Sequence, residues 1–188
     1  MEEIKTYFEK LVPISDSDWH IFSSRLLKRE FLKKEYIVTA GQKEKYLSFI
    51  EKGIVQFSIP ASEDDLTFGF AFSGNFVSAY DFFLTQKPSG YHIKAITNTI
   101  LWSISYEDLQ YIYAETAIGN TIGRMASEAL FLKKSKRELS LLTESAEQRY
   151  LNLFTEQPHL LQLIPLKYIA SYIGITPQAL SRIRKRIS

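Results

Sequence analysis

Short β-branched and aromatic segments between residues 36 and 104 constrain the fold of this chain more than any other feature. They cover residues 36–41, 46–50, 54–59, 66–72, 91–96 and 100–104. Clusters of turn-forming residues separate them, at residues 51–53, 63–65, 73–75 and 97–99. About six to eight short strands at this spacing predict an antiparallel roll, jelly roll or barrel.

The segments on either side have the periodicity of helices. Residues 4–31 carry Trp19, Phe22 and Leu26 at helical spacing, which predicts one or two amphipathic helices before the strands. Residues 117–139 contain no proline and no run of turn residues, so they predict one long helix after the strands.

One stripe of this long helix is apolar at alternating steps of four and three residues. It consists of Ile118, Ile122, Met125, Ala129 and Leu132. The alternation is typical of a two-helix coiled coil, and Gly119, Gly123 and Ala126 would permit close approach of a partner. The stripe therefore predicts a homodimer interface. A single helix packed on its own β-roll would show much the same spacing, so both interpretations stay open.

Residues 165–188 have the pattern helix, turn, helix. Pro165 suits the first position of one helix, and Gly174 suits a left-handed turn after it. Thr176 and Pro177 are a good N-cap and first residue for a second helix. The residues predicted to face inward are Leu166, Ile169, Ala170, Ile173, Leu180, Ile183 and Ile187.

The outward face of the second helix, residues 176–187, is basic and polar. Residues 133–188 carry 10 Lys+Arg against 4 Asp+Glu, whereas residues 1–132 carry 13 against 17. Clustered cations on a helix favour a polyanionic partner, and arginine and glutamine can pair with base edges in the major groove of double-stranded DNA. The predicted DNA-binding residues are Lys167, Thr176, Gln178, Ala179, Ser181, Arg182, Lys185 and Arg186.

These predictions define an α+β fold with three parts. Residues 1–116 form an N-terminal antiparallel β-roll, jelly-roll-like with flanking helices, that acts as a sensor. Residues 117–141 form the long dimerisation helix. Residues 142–188 form a C-terminal helical helix-turn-helix domain, and Ser145 with Gln148 suggests a capping box near its start.

This order of parts, with the motif at residues 169–183, resembles the CRP/FNR family of transcription regulators, especially variants common in Bacteroidetes. The resemblance implies that Arg182 is a base-reading arginine and that Gln178 holds a base-reading polar position. Pro177 stands where many members have another arginine, so the implied operator differs from the best-known one. The chain ends soon after the recognition helix, which leaves no room for a complete β-hairpin wing.

The sensor half departs from the cyclic-nucleotide-binding members of that family. Alignment on their phosphate-binding cassette puts Ser78 and Ala79 at its Gly-Glu pair, and Ser89 and Gly90 at its Arg-Ser pair. Both charged groups are missing, which argues against cyclic AMP as the effector. An effector pocket of unidentified specificity is predicted around Phe76, Ser78, Ala79, Tyr80, Ser89, Gly90 and Tyr91.

Other functional classes fit less well. The chain has no cysteine and three scattered histidines, so no cofactor, metal site or enzymatic motif is expected. No secretion signal or membrane span is predicted, which indicates a cytoplasmic protein. The leading prediction is a homodimeric regulator, with RNA polymerase as a candidate partner. The alternatives are an effector-independent regulator and a small-molecule-binding β-roll protein without DNA function.

Overall fold

The computed structural model describes residues 1–187, and Ser188, the last residue of the predicted helix-turn-helix domain, lies outside this range. The helices in this range are α1 (Glu2–Glu9), α2 (Asp16–Ser23), α3 (Tyr80–Thr85), α4 (Tyr106–Glu115), α5 (Gly119–Thr143), α6 (Ala146–Glu156), α7 (Pro158–Leu163), α8 (Leu166–Tyr172) and α9 (Pro177–Ile187). The strands are β1 (Leu27–Phe31), β2 (Tyr36–Val38), β3 (Tyr46–Lys52), β4 (Ile54–Ile59), β5 (Leu66–Phe72), β6 (Phe76–Val77), β7 (His92–Ala95) and β8 (Thr99–Ser105). The predicted α+β class with a β-roll, a long helix and C-terminal helices is confirmed.

The strands form two four-stranded sheets that face each other as a roll. Their orders are β1-β8-β3-β6 and β2-β7-β4-β5, and every pairing is antiparallel. Apolar side chains from both sheets fill the space between them, including Ile50, Val55, Ile93 and Leu101, which are fully buried. The strand β5 lies at one edge, so only one of its sides is paired with another strand.

The strand β1 contradicts the prediction that residues 4–31 are wholly helical. It pairs along its whole length with β8, from Leu27 opposite Ser103 to Phe31 opposite Thr99. Its middle residues are charged, so its sequence carries little strand signal, and the backbone hydrogen bonds offered by β8 decide its conformation. The helices α1 and α2 do form before it, and Ser15 caps α2 by accepting the N–H of Asp18.

The long helix α5 packs against α4 through glycine. A Cβ atom on Gly119 would lie 2.5 Å from the carbonyl oxygen of Ile112, and one on Gly123 would lie 2.9 Å from the ring of Tyr113. Both glycines therefore serve a contact within the chain, although the sequence suggested that they admit a partner helix. The helix begins and ends two residues later than the predicted range 117–141.

The four C-terminal helices share a core with the β-roll. Ile164, Ile169, Leu180 and other apolar side chains of α6–α9 form this cluster, and Phe70 of β5 belongs to it. The N-terminus of α6 is capped as predicted, because Ser145 accepts the N–H of Gln148 at 3.2 Å.

None of the helices in residues 1–187 combines the length and apolar composition that a membrane crossing requires.

Candidate functional site

The helices α8 and α9 are joined by a short turn, and three local signals agree on this arrangement. Pro165 is the N-cap of α8, one position before the predicted one, and its ring cannot donate a hydrogen bond there. Gly174 has φ +79°, a left-handed conformation that side chains rarely adopt. The hydroxyl of Thr176 accepts the N–H of Ala179 at 3.2 Å and so caps α9.

The buried face of α9 directs its polar face toward solvent. Leu180 and Ile183 are 2% and 6% exposed, as the helical spacing predicts. Ile187 was predicted to point inward, but it is 37% exposed and lines a small hollow with Phe154 and Leu166. Leu166, also predicted to face inward, is likewise exposed because α8 begins at that residue.

The predicted DNA-binding residues lie together on the outside of α8 and α9. Ala179 is half-buried. The other seven are exposed: Lys167, Thr176, Gln178, Ser181, Arg182, Lys185 and Arg186. Arg182 follows Gln178 by four positions and precedes Lys185 by three, so the three side chains share one helix face.

The positive charge of this face is only partly neutralised. Arg186 pairs with Glu147 of α6 at 2.7 Å, and Lys167 lies 4.9 Å from the ring centre of Tyr168. Within the part of the chain that the structure describes, Arg182 and Lys185 have no hydrogen bond or ion pair. The face can therefore offer these two cations to an anionic partner without breaking an existing contact.

Arg149 of α6 holds the turn, and sequence reasoning missed it. Its Nε donates to the carbonyl oxygen of Ile173 at 2.9 Å, and another of its nitrogens donates to the carbonyl oxygen of Glu144. The contact joins positions 24 residues apart, so no local pattern identifies it.

The predicted effector pocket is divided between two environments. Ala79 and Ser89 are buried and do not line the large cleft beside α5, and Gly90 lies against the ring of Phe82. The other four predicted residues, Phe76, Ser78, Tyr80 and Tyr91, line that cleft. The hydroxyl of Tyr91 donates to Asp81 at 2.7 Å, and burial raises the pKa of that hydroxyl well above its usual range.

The polar groups of the pocket bind to the chain itself. Ser78 donates to the carbonyl oxygen of Tyr46 at 2.9 Å, and Ser89 donates to the carbonyl oxygen of Tyr91 at 2.7 Å. His92 and Lys94 do not replace the missing cassette cation, because His92 accepts the N–H of Ala40 and Lys94 lies over the ring of Tyr36.

A buried carboxylate, that of Glu44, occupies the same region. Glu44 is 3% exposed, and its two oxygens accept the N–H groups of Tyr46 at 3.0 Å and Ala79 at 3.1 Å. Burial raises its pKa, while these hydrogen bonds and the charge of Arg29 act in the opposite direction. Both oxygens of Glu44 are thus bonded to the backbone of the chain itself. Sequence reasoning did not identify Glu44.

The predicted dimer residues follow one side of α5 along the cleft, which has a volume of about 1890 Å³. Ile118, Ile122, Ala129 and Leu132 line it, whereas Met125 does not. Ile122 also packs against the cluster beneath α1, α2 and α4, so part of this stripe is used within the chain.

The apolar stripe continues beyond the predicted residues. Leu139 follows Leu132 by seven positions, and Leu142 lies three positions further; they are 58% and 76% exposed. The predicted stripe ended at Leu132. A repeat of seven residues, which is typical of coiled coils, extends it to Leu139.

Comparison with known proteins identifies a family for the β-roll. Residues 28–116 match the cyclic nucleotide-binding domain family, which is slightly less than half of the chain. No curated protein matches the sequence significantly.

Solved structures of regulators share the fold over most of their length. A chain described as a transcriptional regulator of the CRP/FNR family from Eubacterium rectale aligns with a TM-score of 0.74 and 16% identity, over 97% of this chain and 87% of that one. FixK2 from Bradyrhizobium japonicum aligns with a TM-score of 0.71 and 15% identity, over 86% and 84%. The c-di-GMP-responsive regulator CLP from Xanthomonas campestris aligns with a TM-score of 0.69 and 18% identity, over 92% and 91%. The chain therefore has the fold of CRP/FNR regulators.

Proposed function

We propose that this chain is a sequence-specific DNA-binding transcription regulator that acts as a homodimer. The observation that carries the proposal is the exposed face of α9, where Gln178, Arg182 and Lys185 stand together and the two cations are unpaired within residues 1–187. A helix of this kind fits the major groove, where arginine reads guanine and glutamine reads adenine. The fold shared with known regulators supports the same conclusion.

The exposed stripe on α5 supports the homodimer. Leu132, Leu139 and Leu142 are large apolar side chains, each more than half exposed to solvent. The adjoining cleft, at about 1890 Å³, exceeds the roughly 300–1,000 Å³ of most small-molecule sites. A second α5 helix would cover the stripe and place two recognition helices in successive major grooves about 34 Å apart.

The effector is not cyclic AMP, and an effector-independent regulator is the second candidate. The hydroxyls of Ser78 and Ser89 are bonded to the backbone, and Glu44 already satisfies the N–H of Ala79. The pocket therefore offers few free polar groups to a nucleotide. A small molecule that uses mainly apolar contacts remains compatible with the cleft.

The remaining parts of the proposal follow from this function. A regulator of this type acts in the cytoplasm and contacts RNA polymerase as a candidate partner. It performs no catalysis. The motif at residues 169–183 favours the Bacteroidetes-type variant, and Pro177, at the start of the recognition helix, favours an operator that differs from the best-known one.

Selection from random duplex DNA tests the function directly. We expect purified protein, without added ligand, to enrich a two-fold symmetric sequence. On that sequence Arg182→Ala should weaken binding by about 5- to 150-fold for each half-site, and by about 30-fold or more for the dimer, since one arginine–guanine pair contributes about 1–3 kcal/mol. Arg124→Ala is the matched control, because Arg124 is an exposed arginine of α5 far from α9 in sequence.

Two results would contradict the proposal. The first is no enrichment of any sequence, with or without cell extract as a source of small molecules; this would favour a β-roll protein without DNA function. The second is an equal effect of Arg182→Ala and Arg124→Ala, which would remove α9 from the interface.

A further inference from the structure

The edge strand β5 of the β-roll is bonded to α8, the first helix of the helix-turn-helix. The N–H of Thr67 donates to the hydroxyl of Ser171 at 2.8 Å, and this hydroxyl lies 3.5 Å from the carbonyl oxygen of Thr67, to which it donates. The residues are 104 positions apart. The bond is therefore a specific contact between the sensor half and the DNA-binding half.

A β-bulge lies next to Thr67 in β5. Phe57 of β4 lies opposite Gly69, but the next residue, Ser58, lies opposite Thr67, so Phe68 is the extra residue of β5. Bulges turn the strand locally and re-aim its groups. Because β5 has no strand on its outer side, α8 takes the position that a further strand would occupy.

Aromatic side chains strengthen the same contact. Phe70 is 8% exposed, belongs to the core of α6–α9, and has its ring centre 5.6 Å from that of Tyr172. Phe72 meets His159 edge to face at 4.7 Å. Deep burial of Phe70 in the core of the other half shows that the two halves pack as one body rather than touching at a single point.

The long helix α5 joins the contact from the other side. Arg137 donates to the carbonyl oxygen of Tyr172 at 2.8 Å, and its guanidinium lies 4.1 Å from the centre of the Tyr172 ring. The end of α8 is thus fixed by the β-roll and by the helix that carries the apolar stripe.

The position of α8 determines that of α9. The turn between them is short, and Arg149 holds it through the carbonyl oxygen of Ile173. The strand β5 of the β-roll packs directly against α8, the first of these two helices.

We propose that the contact of β5 with α8 positions the recognition helix on the β-roll, and so sets the distance between the two α9 helices of the dimer. Ser171 and Phe70 are positioning residues in this scheme and do not touch DNA. The inference rests on the proposed function, because the distance matters only if two copies of α9 bind one DNA molecule.

The test measures how strictly the protein requires one spacing between half-sites. Binding of the full chain is compared on the selected operator, on operators with one or two base pairs inserted or removed at the centre, and on a single half-site. The variants are Ser171→Ala and Phe70→Leu. Ser171→Thr keeps the hydroxyl and is the rescue variant, and Ser127→Ala, at an exposed position of α5, is the matched control.

The wild type and both control variants should bind the correct spacing far better than the altered ones. A net neutral hydrogen bond corresponds to about fivefold in an equilibrium, so Ser171→Ala should reduce the discrimination between spacings by about fivefold for each subunit and about 25-fold for the dimer. Phe70→Leu should act in the same direction. Binding to the single half-site should stay within about twofold of wild type, because no contact with DNA is removed.

Unchanged discrimination in both variants would overturn the inference while leaving the proposed function intact. An equal loss of binding to the half-site and to all full operators would also overturn it, since that pattern indicates a merely structural role. Failure of the wild type to bind any DNA would refute the proposed function itself and the inference with it.

Discussion

Replacing Leu132 and Leu139 together by serine should separate the proposed dimer into monomers. The two side chains are 67% and 58% exposed in the single chain and lie seven positions apart on α5. Full burial of a leucine side chain contributes about 1.5–3 kcal/mol, so covering the exposed part of each contributes about 1–2 kcal/mol. Over the four leucines of a symmetric pair, the loss is at least about 4 kcal/mol, or about 1,000-fold in Kd.

Sedimentation equilibrium over a range of protein concentrations measures this constant. Leu32→Ser is the matched control, because Leu32 is 65% exposed but lies in the turn between β1 and β2. Circular dichroism should show the same helix content in all variants, since the replaced side chains belong to none of the buried clusters within residues 1–187. A wild type that stays monomeric at the highest concentrations, or a double variant with the wild-type Kd, would refute the assignment of the stripe to a dimer interface.

Two further predictions concern the stability of the single chain. Gly119→Ala should lower the free energy of unfolding by about 1–3 kcal/mol despite the better helix propensity of alanine, because the new Cβ atom would lie 2.5 Å from the backbone of Ile112. Thermal unfolding measures this change, with Ser127→Ala as the control. An unchanged Tm would count against the tight contact of α4 and α5. Burial raises the pKa of Glu44, so its contribution to stability is present below the ordinary carboxyl pKa of about 4.3 and is lost as the pH rises through the higher folded value. Glu44→Gln should therefore flatten the pH dependence of urea unfolding over that window, and parallel curves for the two proteins would show that Glu44 does not titrate there.

The arrangement of α8, its turn and α9 could be predicted from sequence because its signals are local. The cap at Thr176, the turn at Gly174 and the buried positions Leu180 and Ile183 all lie within a few residues of one another. Each signal depends on backbone conformation or helical periodicity, which neighbours in sequence largely determine. The exposure of Ile187 was missed because a residue in the last turn of a helix is covered only if another element extends past it.

The effector region could not be predicted in the same way. Whether Ser78 and Ser89 offer their hydroxyls to a ligand depends on carbonyl oxygens that the fold brings to them. The role of Glu44 depends on Ala79, which lies 35 positions away. Alignment on the phosphate-binding cassette identified the charged residues that this chain lacks there. It could not show that the carboxyl group of Glu44 lies in the same region.

The strand β1 illustrates a third limit. Lys28, Arg29 and Glu30 are all charged, so its sequence shows no alternation of apolar and polar residues, and pairing with β8 makes it a strand. An edge strand of this composition resists association with other chains, because charged side chains oppose further pairing.

The strand β5, an edge of the other sheet, has no such charges, and this gives the cover over β5 a second consequence. Residues 66–72 read Leu-Thr-Phe-Gly-Phe-Ala-Phe, a segment of high β-propensity with no charge and no proline. Segments of this kind are prone to pair with copies of themselves when their edge is open. The helix α8 covers this edge and Ser171 occupies the N–H of Thr67, so large separation of the two halves would expose an aggregation-prone strand. Any motion that regulates DNA binding must therefore remain small or brief if the protein is to stay in solution.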